Sequence, residues 1–220
     1  MMKYGQIAGN KSINDCICRC FDYIHEADAR MFVKKFSEQL HNNTQVMHTF
    51  RELILGAYLA SNGFKVRYDN SVDSSTPDWC ILDEASNING IVELTNFHTD
   101  KETETEIQEA KQSKGVWVGW MPPNDERLYQ IIWGKARVYK ALVEKYRVPY
   151  VIAVFSEFTA ALDIDELHSC LFHDETGLFV LYPTTSGVLF FEERTGRYAF
   201  TYLQNPHAHR ELHIQDGVFL

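Results

Sequence analysis

An α/β domain is the fold class this sequence predicts, on three observations. Segments with apolar residues at helical spacing interchange with short runs that alternate apolar and polar residues, or are apolar throughout. Their order is helix, three neighbouring strands, long helix, strand, then a further helix and hairpin-like strands. The 220 residues, 45% of them hydrophobic and 13% aromatic, suffice for one large core and for at most two small domains.

The elements follow in order. Ile13, Ile17, Phe21 and Ile24, then Phe32, Phe36 and Leu40, recur at helical spacing, so residues 13–40 read as helical with Asn10 or Ser12 as cap. The polar HNNTQ at 41–45 interrupts the pattern. Residues 1–47 are therefore expected to form a helical N-terminal extension, and 48–220 one compact main domain. From Thr49 to about Ser61 a helix presents Phe50, Leu53, Ile54, Ala57, Tyr58 and Leu59 on its apolar face, and Asn62-Gly63 stops it. Phe64, Val66 and Tyr68 alternate with Lys65, Arg67 and Asp69, the pattern of a strand with one wet face. After the loop SVDSSTP come a second strand, Asp78–Leu82, a turn, DEASNING, and a third strand, Gly90–Phe97. Strands so close in sequence favour an antiparallel meander.

The charged stretch 100–115 fits either a helix or a mobile segment, and the apolar GVWVGWMPP ends at a proline pair. Glu126–Lys145 reads as a long helix with Leu128, Ile131, Ile132, Ala136, Tyr139 and Leu142 inward and several basic residues outward; Pro149 closes it. Tyr150–Phe155 is apolar throughout, as in a strand buried on both faces. Asp163–Phe172 reads as a capped helix with an acidic first turn. Phe179–Tyr182, Val188–Phe191 and Tyr198–Tyr202 read as short strands, and NPHAH at 205–209 as loop or tail.

Charge and composition limit the function. A net charge of −9 argues against a surface made for indiscriminate coating of nucleic acid. It leaves a nuclease open, because a carboxylate site is acidic and a metal offsets it locally. No apolar run approaches the roughly 18–20 residues of a membrane span, and the start, MMKYGQIAGNKS, lacks a secretory apolar region. A cytoplasmic location without membrane contact is the expectation. Five cysteines, an odd number, suit a reducing compartment. Cys16, Cys18 and Cys20 do not share one helical face, which favours packing over zinc. Cys80 lies in an apolar strand, which suits an inert thiol. No phosphate-binding glycine loop or GxSxG elbow is present.

Three carboxylates carry the chemistry. Glu52 lies on the apolar-periodic helix, Asp78 follows Pro77 at the start of a strand, and Glu93 sits amid Ile91, Val92 and Leu94 in the next. Acids on neighbouring strands and on a helix packed against them can converge on a hard cation, which wants oxygen ligands. Each also has a plainer reading. Asp78 can cap a turn, and Glu52 beside Arg51 can be a solvated helix residue. Glu93 is harder to dismiss, since a buried acid is costly without a partner.

Pro77-Asp78, then Glu93-Leu94-Thr95 on the next strand, with Glu52 on the preceding helix, resembles the PD-(D/E)XK (restriction endonuclease-like) nuclease superfamily over roughly residues 48–156. The resemblance implies a restriction-endonuclease-like core of helix, three-stranded meander, helix and strand. It further implies hydrolysis of phosphodiesters in nucleic acid, DNA before RNA, with Mg²⁺ or Mn²⁺ as cofactor. Asp78, Glu93 and Glu52 would be the metal ligands, and a homodimer is expected by analogy. The family's lysine is Thr95 here. Loss of one such preorganised contact typically lowers a rate about 10²–10³-fold. Lys135, on the long helix expected to pack against the sheet, is the best substitute; Lys140 and Lys65 are weaker ones. Asn96 and His98 follow the motif and can reach substrate or metal; the plainer reading is of polar residues at a strand end, and it is the one favoured for His98. The alternative is a catalytically inactive nuclease-like fold acting as a binding or assembly module.

Overall fold

The computed structural model describes residues 11–220 except 40, 74, 100, 118, 120–123, 158, 159 and 161. Of the expectations above, the Asn10 cap, the apolar Leu40 and the proline pair at 122–123 lie outside the described residues. Three helices lead the chain: α1 (Lys11–Phe21), α2 (Glu26–Glu38) and α3 (Asn43–Ser61). The helical stretch expected over 13–40 is thus two helices. His25 starts the second, its side chain accepting from the Ala27 N–H. α3 begins before Thr49 because the Asn42 side chain accepts from the Gln45 N–H and caps it there.

Strands β1 (Lys65–Tyr68), β2 (Trp79–Leu82), β3 (Ile88–Phe97), β4 (Tyr150–Ser156), β5 (Gly187–Arg194), β6 (Arg197–Gln204) and β7 (Gly217–Phe219) form one sheet in chain order. β1, β2 and β3 are the antiparallel meander that the short connections favour. β3, β4 and β5 run parallel, and β5, β6 and β7 antiparallel. Parallel neighbours need a crossover. α4 (Lys101–Gln112), α5 (Asp125–Val138) and α6 (Lys140–Tyr146) connect β3 to β4; α7 (Ile164–Phe172) and α8 (Leu178–Leu181) connect β4 to β5. The charged stretch after residue 100 is therefore helical, and the long helix expected over 126–145 is interrupted at Tyr139. α7 carries a full capping box between Asp163 and Glu166.

One element was read with the wrong period. Phe179–Tyr182, expected as a strand, is instead the short helix α8 up to Leu181, with Tyr182 as its C-cap; Leu178 and Phe179 are buried and Val180 and Leu181 exposed. Apolar runs this short fit either period.

Alternation along the strands places two apolar layers on opposite faces of the sheet. Trp79, Val92, Leu94, Val151 and Ala153 pack with α1, α2 and α3. Cys80, Ile91, Tyr150, Ile152 and Val154 pack with α5, α6, α7 and α8. Gly56 permits the closest approach on the first face: a Cβ there would lie 1.9 Å from Trp79 Cζ2. The Trp79 indole reaches across this gap and donates to the Glu52 carbonyl at 2.8 Å. Among the described residues no helix is long and apolar enough to cross a membrane.

Candidate active site

β2 begins only at Trp79 while β3 runs on past it, so the main-chain ladder between them stops at Trp79 and Val92. Two carboxylates take over from it. The Asp78 N–H donates to Glu93 Oε1 at 3.0 Å, and the Leu94 N–H donates to Asp78 Oδ2 at 2.7 Å. Asp78 and Glu93 are thereby fixed beside one another where the two strands part. Glu93 is 3% exposed and lies on the α5 face of the sheet, since its neighbours Val92 and Leu94 point to the α3 face.

A cation faces this pair. Lys135, on α5, places Nζ 2.8 Å from Glu93 Oε2. Tyr150 of β4 anchors that helix, its hydroxyl donating to the Lys135 carbonyl at 3.1 Å. Lys65 instead reaches Ser86, and Lys140 lies beside Glu144. Of the three lysines considered, Lys135 alone meets the acids. Burial first, then the nearby Glu93, push the Tyr139 hydroxyl above the ordinary range.

Burial, then the charges of Glu93 and Glu52, push the Asp78 carboxyl up to about 7; the Leu94 N–H and Lys135 oppose this without cancelling it. Glu52 approaches from the α3 face. Its carboxylate accepts from the Tyr68 hydroxyl and lies 3.0 Å from His48 Nε2. Burial works against its charge, but those two hydrogen bonds, with the charges of His48 and Lys35, outweigh it and hold the carboxyl below its ordinary value. His48 Nδ1 in turn contacts the Asn96 amide at 2.5 Å.

The three predicted acids are thus unequal. Asp78 and Glu93 are brought together; Glu52 is held by His48 and Tyr68 and acts on Asp78 through its charge. Among the described residues no group of three or more His, Cys, Asp or Glu side chains is arranged to hold a metal ion. The donor set for a cation is the Asp78–Glu93 pair. Two hard oxygen donors suit Mg²⁺, which binds through one or two carboxylates and keeps several waters. An ion there would compete with Lys135 or the Asp78 N–H for Glu93, while Asp78 Oδ1 accepts no hydrogen bond among the described residues.

Part of the polar machinery further along, the Arg51–Glu157 pair, carries no sequence signal, although His98 beside it follows the motif. His98 Nδ1 lies 2.9 Å from Glu157 Oε2, and Arg51 Nη2 lies 2.5 Å from Glu157 Oε1. Burial opposes the Glu157 charge, but the His98 and Arg51 hydrogen bonds and the Arg51 charge prevail and hold it down at about 2. Tyr68 was visible only as an inward strand residue. The Cys80 thiol is buried and pushed up to about 11 by that burial, in keeping with an inert group. Cys16 and Cys20 are buried on α1 while Cys18 is exposed, and all five cysteines are free. Set against known proteins, the chain matches no family model, no curated protein and no solved structure.

Proposed function

We propose that the protein is a Mg²⁺- or Mn²⁺-dependent phosphodiesterase acting on nucleic acid, DNA before RNA, on a restriction-endonuclease-like core. The observation that carries this reading is the pairing of Asp78 and Glu93 where β2 and β3 part, with the Lys135 ammonium 2.8 Å from Glu93. The succession α3, antiparallel β1–β2–β3, helices, parallel β4 supports it, being the order that the PD-(D/E)XK resemblance implies.

Asp78 and Glu93 would hold the cation, which when bound polarises a phosphodiester and acidifies a coordinated water. Lys135, at the Glu93 side of the pair, would supply the positive charge that Thr95 cannot. Glu52 acts at one remove. Its carboxylate holds Tyr68 and its carbonyl holds Trp79, so it positions the strand end that carries Asp78.

Cleavage assays on DNA and RNA with Mg²⁺ or Mn²⁺ test the proposal. Asp78→Ala is expected to abolish cleavage, and Lys135→Ala to lower the rate about 10²–10³-fold. A well-folded wild type inert on both substrates with both ions overturns it.

The second reading, a non-cutting binding or assembly module, draws on Glu93, both of whose oxygens are already engaged within the protein. Calorimetry separates the two. Mn²⁺ binding that disappears in Asp78→Ala supports the hydrolase; no metal binding by the wild type supports the module.

A further inference from the structure

Three segments meet at the amino ends of β4 and β5: the turn after α6, the turn after α8 and the loop that follows β6. Hydrogen bonds stitch them into one corner. The Ser186 N–H donates to the Tyr150 carbonyl at 2.7 Å, and the Ser186 hydroxyl accepts from the Tyr150 N–H at 2.9 Å. The Asn205 N–H donates to the Ser186 carbonyl at 2.9 Å, and the His209 N–H to the Pro183 carbonyl at 2.7 Å. Asn205 is 1% exposed. Its side-chain amide donates to the Thr185 carbonyl at 2.7 Å and, from further off, to those of Phe179 and Tyr182, while its side-chain oxygen accepts from the His207 N–H. The NPHAH stretch, in sequence only a loop or tail, is thereby given a fixed shape.

A cavity of about 440 Å³ opens on this corner, within the size range of small-ligand sites. Val143 and Glu144 of α6, Arg147, Thr184, His209 and Arg210 wall it. Arg147 ends α6 as a left-handed cap. Arg147, His209 and Arg210 are exposed and make no side-chain hydrogen bond or ion pair among the described residues. Glu144, the acid of the wall, has Lys140 Nζ at 4.0 Å.

This gathering runs against the composition. The chain has 30 Asp and Glu for 21 Lys and Arg, so acids are in excess. Other arginines have taken one: Arg30 pairs with Glu26, Arg51 with Glu157, Arg67 with Asp28 and Arg194 with Glu192. Two guanidiniums collected at one cavity without such a partner repel each other, and an anion between them reverses that. A guanidinium offers a planar fork of donors. Two forks and an imidazole are more than the two oxygens of a carboxylate accommodate well; a phosphate monoester has three terminal oxygens. Its charge of about −1.5 to −2 nearly balances the two guanidiniums.

We propose that this cavity is a binding site for a phosphate monoester, either of a free small molecule or at the phosphorylated end of a nucleic-acid strand. It is separate from the acid pair: Glu93 stands opposite Ile152 within the sheet, whereas Arg147 precedes β4 altogether. Nothing in it depends on cleavage by that pair.

The test is calorimetric titration in EDTA, with the imidazole NMR signals of His209 as local readout. The probes are thymidine 5′-monophosphate and a short oligothymidylate with or without a 5′-phosphate. A phosphorylated probe should bind saturably and move the His209 signals, with thymidine and the unphosphorylated strand at least about tenfold weaker. Arg147→Asn, which suits the left-handed backbone, and Arg210→Gln should each weaken binding about tenfold by removing one charge-assisted contact. Arg210→Gln decides if Arg147→Asn fails to fold. Glu144→Gln should tighten binding, and Lys34→Gln, on α2 across the sheet, should leave it unchanged. Equal affinity for the monophosphate and the phosphorylated strand assigns the site to small molecules; a strand preferred at least about tenfold assigns it to strand ends. No saturable binding of either phosphorylated probe, or binding indifferent to the phosphate or to Arg210→Gln, overturns the proposal. A protein that binds the monoester here and cuts nothing keeps this site and loses the hydrolase reading. One that cuts but binds no monoester does the reverse.

Discussion

At the residue scale, Asp78 holds its proton to about pH 7 in the folded protein, well above the ordinary aspartate range. Because the folded value is raised, the associated stability is fully present below about pH 4 and is lost as pH rises through 7. Asp78→Asn keeps an oxygen for the Leu94 N–H and removes the charge. The variant should match the wild type near pH 4 and melt higher at pH 8, by about 2–4 °C for each kcal/mol relieved. Thermal melts across that range check this; parallel curves for the two proteins would count against a strained acid pair. A cation needs the ionised carboxylate, so Mn²⁺ affinity in the wild type should climb between pH 6 and 8. The acids were legible because a glutamate amid Ile91, Val92 and Leu94 breaks an apolar run. Lys135 was legible because its helix had to cover the sheet. The Arg51–Glu157 pair was not: its partners lie 106 positions apart, and neither departs from its local pattern.

At the element scale, the site depends on how α3 lies on β2. Gly56 leaves the space that Trp79 fills, and Trp79 then bonds the Glu52 carbonyl. Alanine is the better helix former by about 1 kcal/mol. A Cβ 1.9 Å from the indole, however, forces a repacking that typically costs about 1–3 kcal/mol. Gly56→Ala should therefore be net destabilising, and should lower activity by displacing the strand start that carries Asp78. Urea unfolding followed by tryptophan fluorescence measures the first effect; a neutral or stabilised variant would show that α3 and β2 are not in such tight contact. The same scale marks where pattern reading fails. The apolar Phe179–Tyr182 suited a strand, yet Leu178 and Phe179 are both buried in a short helix and the Phe179 ring meets Phe172 edge-on, with ring centroids 4.9 Å apart. β7 has only three residues, too few for any period to register.

At the scale of the whole molecule, the meander was legible because its strands are joined by short turns. The parallel register of β3, β4 and β5 depends on crossovers whose helices the sequence marks but whose pairing it does not. Net charge also acts at this scale. A chain carrying −9 repels a polyanion at long range, and the acid pair adds to that repulsion where a phosphate must arrive. The lysine at Glu93 offsets it only locally. A divalent ion is then needed for approach as well as for chemistry. Labelled DNA should bind weakly in chelator and at least about tenfold more tightly in Ca²⁺, an oxygen-seeking ion suited to the same donors. Monovalent salt at matched ionic strength should not reproduce the gain, since screening acts on the whole surface whereas the ion acts between Asp78 and Glu93. Fluorescence anisotropy on wild type and Asp78→Asn decides between these. Equal affinity with and without Ca²⁺, or a gain that survives in Asp78→Asn, would mean that nucleic acid, if bound, does not enter by way of the acid pair.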